Sequence, residues 1–259
     1  MRKLAALFAT IGKEWKSAEN IYQYLFRLFG DAMKGAALAW IAHITGNSAL
    51  LSYIIIGIPF IAMWHGIVAI GGWSLTRELT GKTLDFTLVS KVSLGETLFA
   101  QTLGQTLREI PSGVVALGAA ILVSRQVPQV ANLPLIFVSV FLTLVGLAAT
   151  GYFFSALVTM VEGRAGFFMG MIPFGAVLSS LVMPVDQLPR GLSFLAKCFP
   201  ASWAMSGVWT CINESNFEWK LLLTWGIFLL VTLCWLIGTY QLCKVVESRI
   251  RIKGNMSGF

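Results

Sequence analysis

Apolar residues run along this chain in long blocks interrupted by short polar stretches. Leu50–Leu75, Leu135–Met160, Ala165–Val185 and Leu221–Cys243 contain no Asp, Glu, Lys or Arg. Each reaches the ~20 residues that a helix needs to cross a bilayer. The blocks lack the strict polar–apolar alternation of barrel strands, and in lipid only helices or closed barrels satisfy every backbone group. The pattern therefore predicts an all-α polytopic membrane protein. Two further spans complete a predicted set of six. Leu94–Ser124 is polar in its first half and apolar in its second. The first span has only a short apolar stretch, "GAALAWIAHITGN", so its helix must either extend back through Arg27, Asp31 and Lys34 or lie partly outside the bilayer.

Before that span the pattern changes to one helical face. Leu4, Leu7, Phe8, Ile11 and Trp15 lie opposite Arg2, Lys3, Lys13 and Lys16, which predicts an amphipathic helix within residues 1–24 lying in the membrane interface. It does not read as a cleaved signal peptide. No internal repeat is evident, and no appended soluble domain is expected; residues 1–259 read as a single membrane domain.

Composition sharpens this picture. Of 259 residues, 56% are hydrophobic and 12% charged, against about 25% charged in soluble domains. The net charge of +7 belongs to basic residues flanking the spans, so it reports orientation and not a nucleic-acid surface. Arg77, Lys82, Lys91, Arg164 and the basic residues of both ends gather on one side. The positive-inside rule then places both termini, the 76–93 segment and the 244–259 tail in the cytoplasm, and the 186–218 loop outside. The four cysteines are Cys198, Cys211, Cys234 and Cys243. Cys198 and Cys211 share the outer loop and are a candidate disulfide in an oxidising space. No metal-ligand spacing is present, and His43 and His65 lie on separate helices.

The segment "SLTRELTGKTLDF", Ser74–Phe86, contains Gly81-Lys82-Thr83, the ending of a phosphate-binding loop. That loop also needs a glycine where Thr76 stands, and a strand before it. A membrane helix precedes it instead, so nucleotide binding by this chain is not expected. The same segment carries Leu79, Leu84, Phe86, Leu88 and Val89 among its charges, a composition suited to docking on a partner or on the membrane surface.

Glu78, Gly81 and "TLDFTLVSKVS" (Thr83–Ser93) resemble the glutamate, glycine and "TLE-x-LL-x-TPVS" pattern of the ABC type-2 permease family. "VMPVDQLPRGLSFLAKCFPASWAMSGV", Val182–Val208, resembles that family's "P-x-x-x-LP" element, which precedes short re-entrant external helices before the last span. Lys91 stands where proline is common, and Lys82 where glycine is usual. The resemblance implies a non-catalytic membrane subunit of an exporter. It would work as a dimer of identical or related permeases on separate ATPase subunits, which would bind ATP and magnesium. Arg77, Glu78, Gly81, Thr83, Leu84, Asp85, Phe86 and Leu88 would form the ATPase-coupling element, with Glu78 and Asp85 as polar contacts and Leu84 and Phe86 as apolar anchors. The implied cargo is hydrophobic or amphipathic: a drug, an antimicrobial peptide or a lipid. A polysaccharide or glycolipid exporter of the same family is the alternative. An intramembrane lipid-modifying enzyme is a reading from another class, and a membrane anchor or ion-coupled carrier a third.

Ionisable groups inside spans are costly and mark functional candidates. Gln101, Gln105, Arg108 and Ser112 form one stripe on the third span, beside Glu96 and Glu109. Two readings stay open for it. It is either a polar vestibule wall or interhelix network with Asp31 and Lys34, or a helix half that projects into water. Gly166 and Gly170, with Pro173, form a small-xxx-small pattern suited to close helix packing within the chain, to a bend or to the dimer contact.

Overall fold

The structure, a computed structural model, describes residues 7–12, 21–44, 46, 48–70, 92–160, 165–214 and 219–253. Helices dominate, and no strand occurs among the described residues. Residues 7–12 are helical with Phe8 exposed, while the remainder of the 1–20 stretch lies outside the described residues. The first long helix, α1, is Ile21–Ile44, so Ile21–Tyr24 belong to it and not to an interfacial helix. It extends back through Arg27, Asp31 and Lys34.

α2 is Ser48–His65 and continues into a π-helical turn, Gly66–Ile70. α3 is Leu94–Ser124 and α4 Leu133–Met160. α5 is Ala165–Leu178, followed by a 3₁₀ turn, Val185–Gln187. α6 (Arg190–Ala196) and α7 (Pro200–Asn213) are the short helices standing before α8, Trp219–Lys253. Among the described residues four helices are long and apolar enough to cross a membrane: Ser48–Val68, Leu94–Ser124, Leu133–Val158 and Trp219–Ser248. α1 has the length, but its charges lower its apolar character.

The run Ala165–Val185 is not one helix. α5 stops after 14 residues, about 21 Å at 1.5 Å per residue, short of a ~30 Å hydrocarbon core. Its end is a paired-bond cap. Leu181 N–H donates to Ala176 O at 3.2 Å and Ser180 N–H to Val177 O at 2.9 Å, with Ser180 in the left-handed region at φ 55°. Glycine usually takes that position; here Tyr53 of α2 holds it by donating its hydroxyl hydrogen bond to Ser180 O.

The core lies between α2, α4, α5 and α7, where Tyr53, Trp64, Ile67, Leu147, Phe154, Ile172, Met205 and Val208 are buried together. α1 and α3 meet through smaller residues, Ala39, Ala116 and Ala120. In lipid the hydrophobic effect does not drive helices together, so close backbone approach and dispersion carry more of the association. The glycine positions show this. A β-carbon at Gly35 would reach Ala116 O at 2.5 Å, one at Gly57 would overlap Leu181 O, and one at Gly146 would meet Ala201 N at 3.0 Å. Gly170 is different: it is exposed and has nothing within 4 Å of that position. Pro173 lies within α5, and the surroundings of Gly166 are outside the described residues. The close approach made by α5 is instead at Gly175, against the Trp64 ring.

Cys198 and Cys211 are both free thiols, the first exposed and the second buried. α7 separates them: Pro200 to Cys211 alone rises roughly 16 Å along a helix axis, beyond the ~7 Å Cα limit of a disulfide. Burial pushes the Cys211 thiol up from its usual range, which keeps it protonated and unreactive.

Gly57→Ala is expected to lower the unfolding free energy in detergent by about 1–3 kcal/mol through overpacking. Gly170→Ala is expected to be neutral or slightly stabilising. Thermal unfolding of the two variants checks the assignment; equal losses would contradict it.

Candidate functional site

The expected coupling residues Arg77, Glu78, Gly81, Thr83, Leu84, Asp85, Phe86 and Leu88 lie outside the described residues. The two points where the chain leaves and re-enters the helices around them are described. On the leaving side is the π-helical turn Gly66–Ile70; on the return side is the start of α3. Single π turns arise where a helix is made to bulge, and they recur at functional positions.

The leaving point is clamped by three helices. Gly66 faces α3 so closely that a β-carbon would overlap the Glu109 carboxyl, with Oε1 at 2.6 Å. Ile67 presses on Gly151 of α4. Trp64 lies over Gly175 of α5 and donates its indole N–H to Ile172 O at 2.8 Å. Trp64 also meets the Phe154 ring edge-on, at 6.1 Å between centroids.

Behind Gly66 the polar stripe of α3 turns inward. Glu109 is fully buried and pairs with Arg27 of α1 at 2.9 Å, the arginine side chain being 15% exposed. Gln105 Nε2 donates to the same carboxylate oxygen at 2.7 Å. One turn further on, Ser112 Oγ donates to Asp31 Oδ2, and Lys34 pairs with Asp31 Oδ1 at 3.0 Å. Gln101 and Arg108 are buried on the same helix. His65, at the end of α2, interacts electrostatically with Asp31, Lys34 and Arg27. The stripe is therefore buried within the bundle, with Ser112 and the adjacent Glu109 bonded across to α1. Burying ions costs several kcal/mol each unless they are paired and hydrogen-bonded, and each carboxylate here meets a cation and a neutral donor.

The return point is held from two sides. Ser93 is the N-cap of α3: its Oγ accepts from Glu96 N–H at 3.2 Å, and its own N–H donates to Glu96 Oε2 at 2.8 Å. Glu247 of α8 accepts from Leu94 N–H at 3.3 Å. Two carboxylates at a helix N-terminus also complement its dipole. Glu96 thus closes a capping box. Its signal, Ser-x-x-Glu before an apolar run, stands in "SLGE". Arg27 and Gly66 carried no comparable signal, because only the meeting of α1, α2 and α3 defines their partners.

Geometrically, the arrangement joins the two ends of the 71–91 segment to α1, α3, α4, α5 and α8. Among the described residues no group of three His, Cys, Asp or Glu could hold a metal.

Ser112→Ala leaves one Asp31 oxygen without its buried donor, and Gly66→Ala forces the Glu109 carboxyl to move. Each is expected to cost about 1–3 kcal/mol, read as lowered thermal stability in detergent. Wild-type melting by both variants would contradict this packing.

A search among curated proteins found no significant match to the chain. A family model described as "ABC-2 family transporter protein" matches residues 34–240, from the middle of α1 to within α8. A match of that extent, over a helical membrane architecture, shows that the chain belongs to the ABC-2 transporter family.

Proposed function

We propose that the chain is the membrane subunit of an ATP-driven exporter that works as a dimer, with an identical or related permease, on separate ATPase subunits. The supporting observation is the double anchorage of the 71–91 segment. Its leaving end is the π turn closed by Glu109, and its return end is the α3 N-terminus held by Glu96 and Glu247. ATPase subunits acting on the segment would displace a clamped assembly, and packed interfaces respond to such loads by switching between discrete arrangements. In this reading Glu78 and Asp85 bond a groove on the ATPase while Leu84 and Phe86 fill it. Both termini then lie in the cytoplasm of a cell with a bacterial-type inner membrane.

The cargo in this reading is hydrophobic or amphipathic. Glu109 and Ser112 bond to α1, and Gln105, Thr102 and Thr106 bond within α3 itself, which leaves few of these buried polar groups to line a water-filled path for a sugar chain. Apolar side chains dominate the outward surfaces, including Leu229, Leu230 and Leu233 of α8.

Co-expression with an ATP-binding subunit, preferably one encoded beside this chain, tests the proposal. The wild-type chain is expected to co-purify with it. Glu78→Lys reverses a contact charge, an effect of about 2–5 kcal/mol when the pair is desolvated, so recovery of the ATPase should fall at least tenfold. Unchanged co-purification and unchanged ATP hydrolysis in Glu78→Lys would refute the coupling role.

A further inference from the structure

At the end of α1 and α3 remote from the ion network lies a cavity of about 600 Å³, lined by Trp40, His43, Leu122, Val123, Ser124, Arg125 and Gln126. His43 stands 12 residues beyond Asp31 on α1, roughly 18 Å along the axis. We propose that this cavity binds the headgroup of an anionic phospholipid.

Two chemistries meet there. Arg125, His43 and Gln126 supply hydrogen-bond donors, and no carboxylate is among the lining residues. A guanidinium is suited to two parallel bonds to a phosphate. The other wall is apolar and open: Leu122 is 79% exposed and Trp40 55%, and the exposed Ile41 and Ile44 continue it along α1. Inorganic phosphate would meet the donors but leave Trp40 and Leu122 uncovered. A phospholipid covers both, with its phosphate on Arg125 and its acyl chain along Leu122 and Trp40. Tryptophan commonly sits at the level of lipid headgroups.

The polar rim is fixed in place. Arg125 caps α3 in the left-handed conformation, φ 52°, its N–H donating to Ile121 O at 2.9 Å. The following loop is tied to α2 by Gln129 N–H to Ser52 Oγ at 3.0 Å, and to α7 by Ala131 and Asn132 N–H to Cys211 O. The backbone that carries Arg125 and Gln126 is thus fixed before a lipid arrives, which lowers the ordering cost of binding.

The test is thermal unfolding of the full chain in neutral detergent, titrated with phosphatidylglycerol, phosphatidylcholine or inorganic phosphate. Phosphatidylglycerol is expected to raise the melting temperature by several degrees, and the other two to leave it nearly unchanged. Arg125→Asn, which suits the left-handed backbone, should keep the lipid-free melting temperature and weaken the apparent phosphatidylglycerol affinity about tenfold, the effect of losing a charged hydrogen bond. Arg125→Lys should retain most of the response, and His43→Gln should lose part of it. An equal shift with phosphatidylcholine, a shift reproduced by phosphate alone, or a full response in both Arg125→Asn and His43→Gln would overturn the proposal.

Discussion

The pairing of Arg27 with Glu109 sets the terms for the rest of the structure. Neither charge is stable alone inside an apolar helix bundle, and removing one partner from such a pair typically costs 3–5 kcal/mol. The pair therefore fixes the rotation of α1 relative to α3. With that rotation set, Asp31 meets Ser112 and Lys34, and Gly35 comes against the Ala116 carbonyl. Glu109 also fills the space that any residue larger than glycine would need at position 66. An electrostatic constraint between two helices thus fits the packing of a third.

The same constraint gives the fold its functional orientation. The end of α2 is gripped where the chain leaves the bundle, through Gly66, Ile67 and Trp64. The start of α3 is gripped where the chain returns, through Glu96 and Glu247. By contrast, the outward surface of α8 carries exposed leucines that suit lipid. A membrane subunit driven from outside needs both properties: a stiff place to receive force, and surfaces that slide in lipid. In the exporter reading, the 71–91 segment receives the force, and the ion network spreads it to α1 and α3.

The helical membrane class was legible in three charge-free runs, Leu50–Leu75, Leu135–Met160 and Leu221–Cys243, because a hydrophobic stretch of that length admits few alternatives. The extension of α1 through its charges was one of two readings left open by an apolar part too short to span alone. Other features depended on tertiary partners. The end of α5 was hidden because a serine, Ser180, takes the left-handed position, supported by Tyr53 from another helix. The small-xxx-small motif pointed to Gly170, where an added β-carbon would meet nothing within this chain, while the close approach of α5 to α2 is at Gly175, against Trp64. The proposed cysteine pair failed because the loop containing it folds into α7, which holds the thiols apart. The spacing on α3 grouped Gln101, Gln105, Arg108 and Ser112 and left Glu109 beside them, and no periodicity could name Arg27 as the partner of Glu109.

Arg27 and Glu109 form a buried, mutually dependent pair, and a double-mutant cycle measures that dependence. Arg27→Met and Glu109→Leu should each destabilise the chain by about 3–5 kcal/mol, since each strands one charge. The double variant should recover most of that loss, giving a coupling energy of several kcal/mol. Single effects below about 1 kcal/mol that simply add, as for ion pairs in water, would contradict the account.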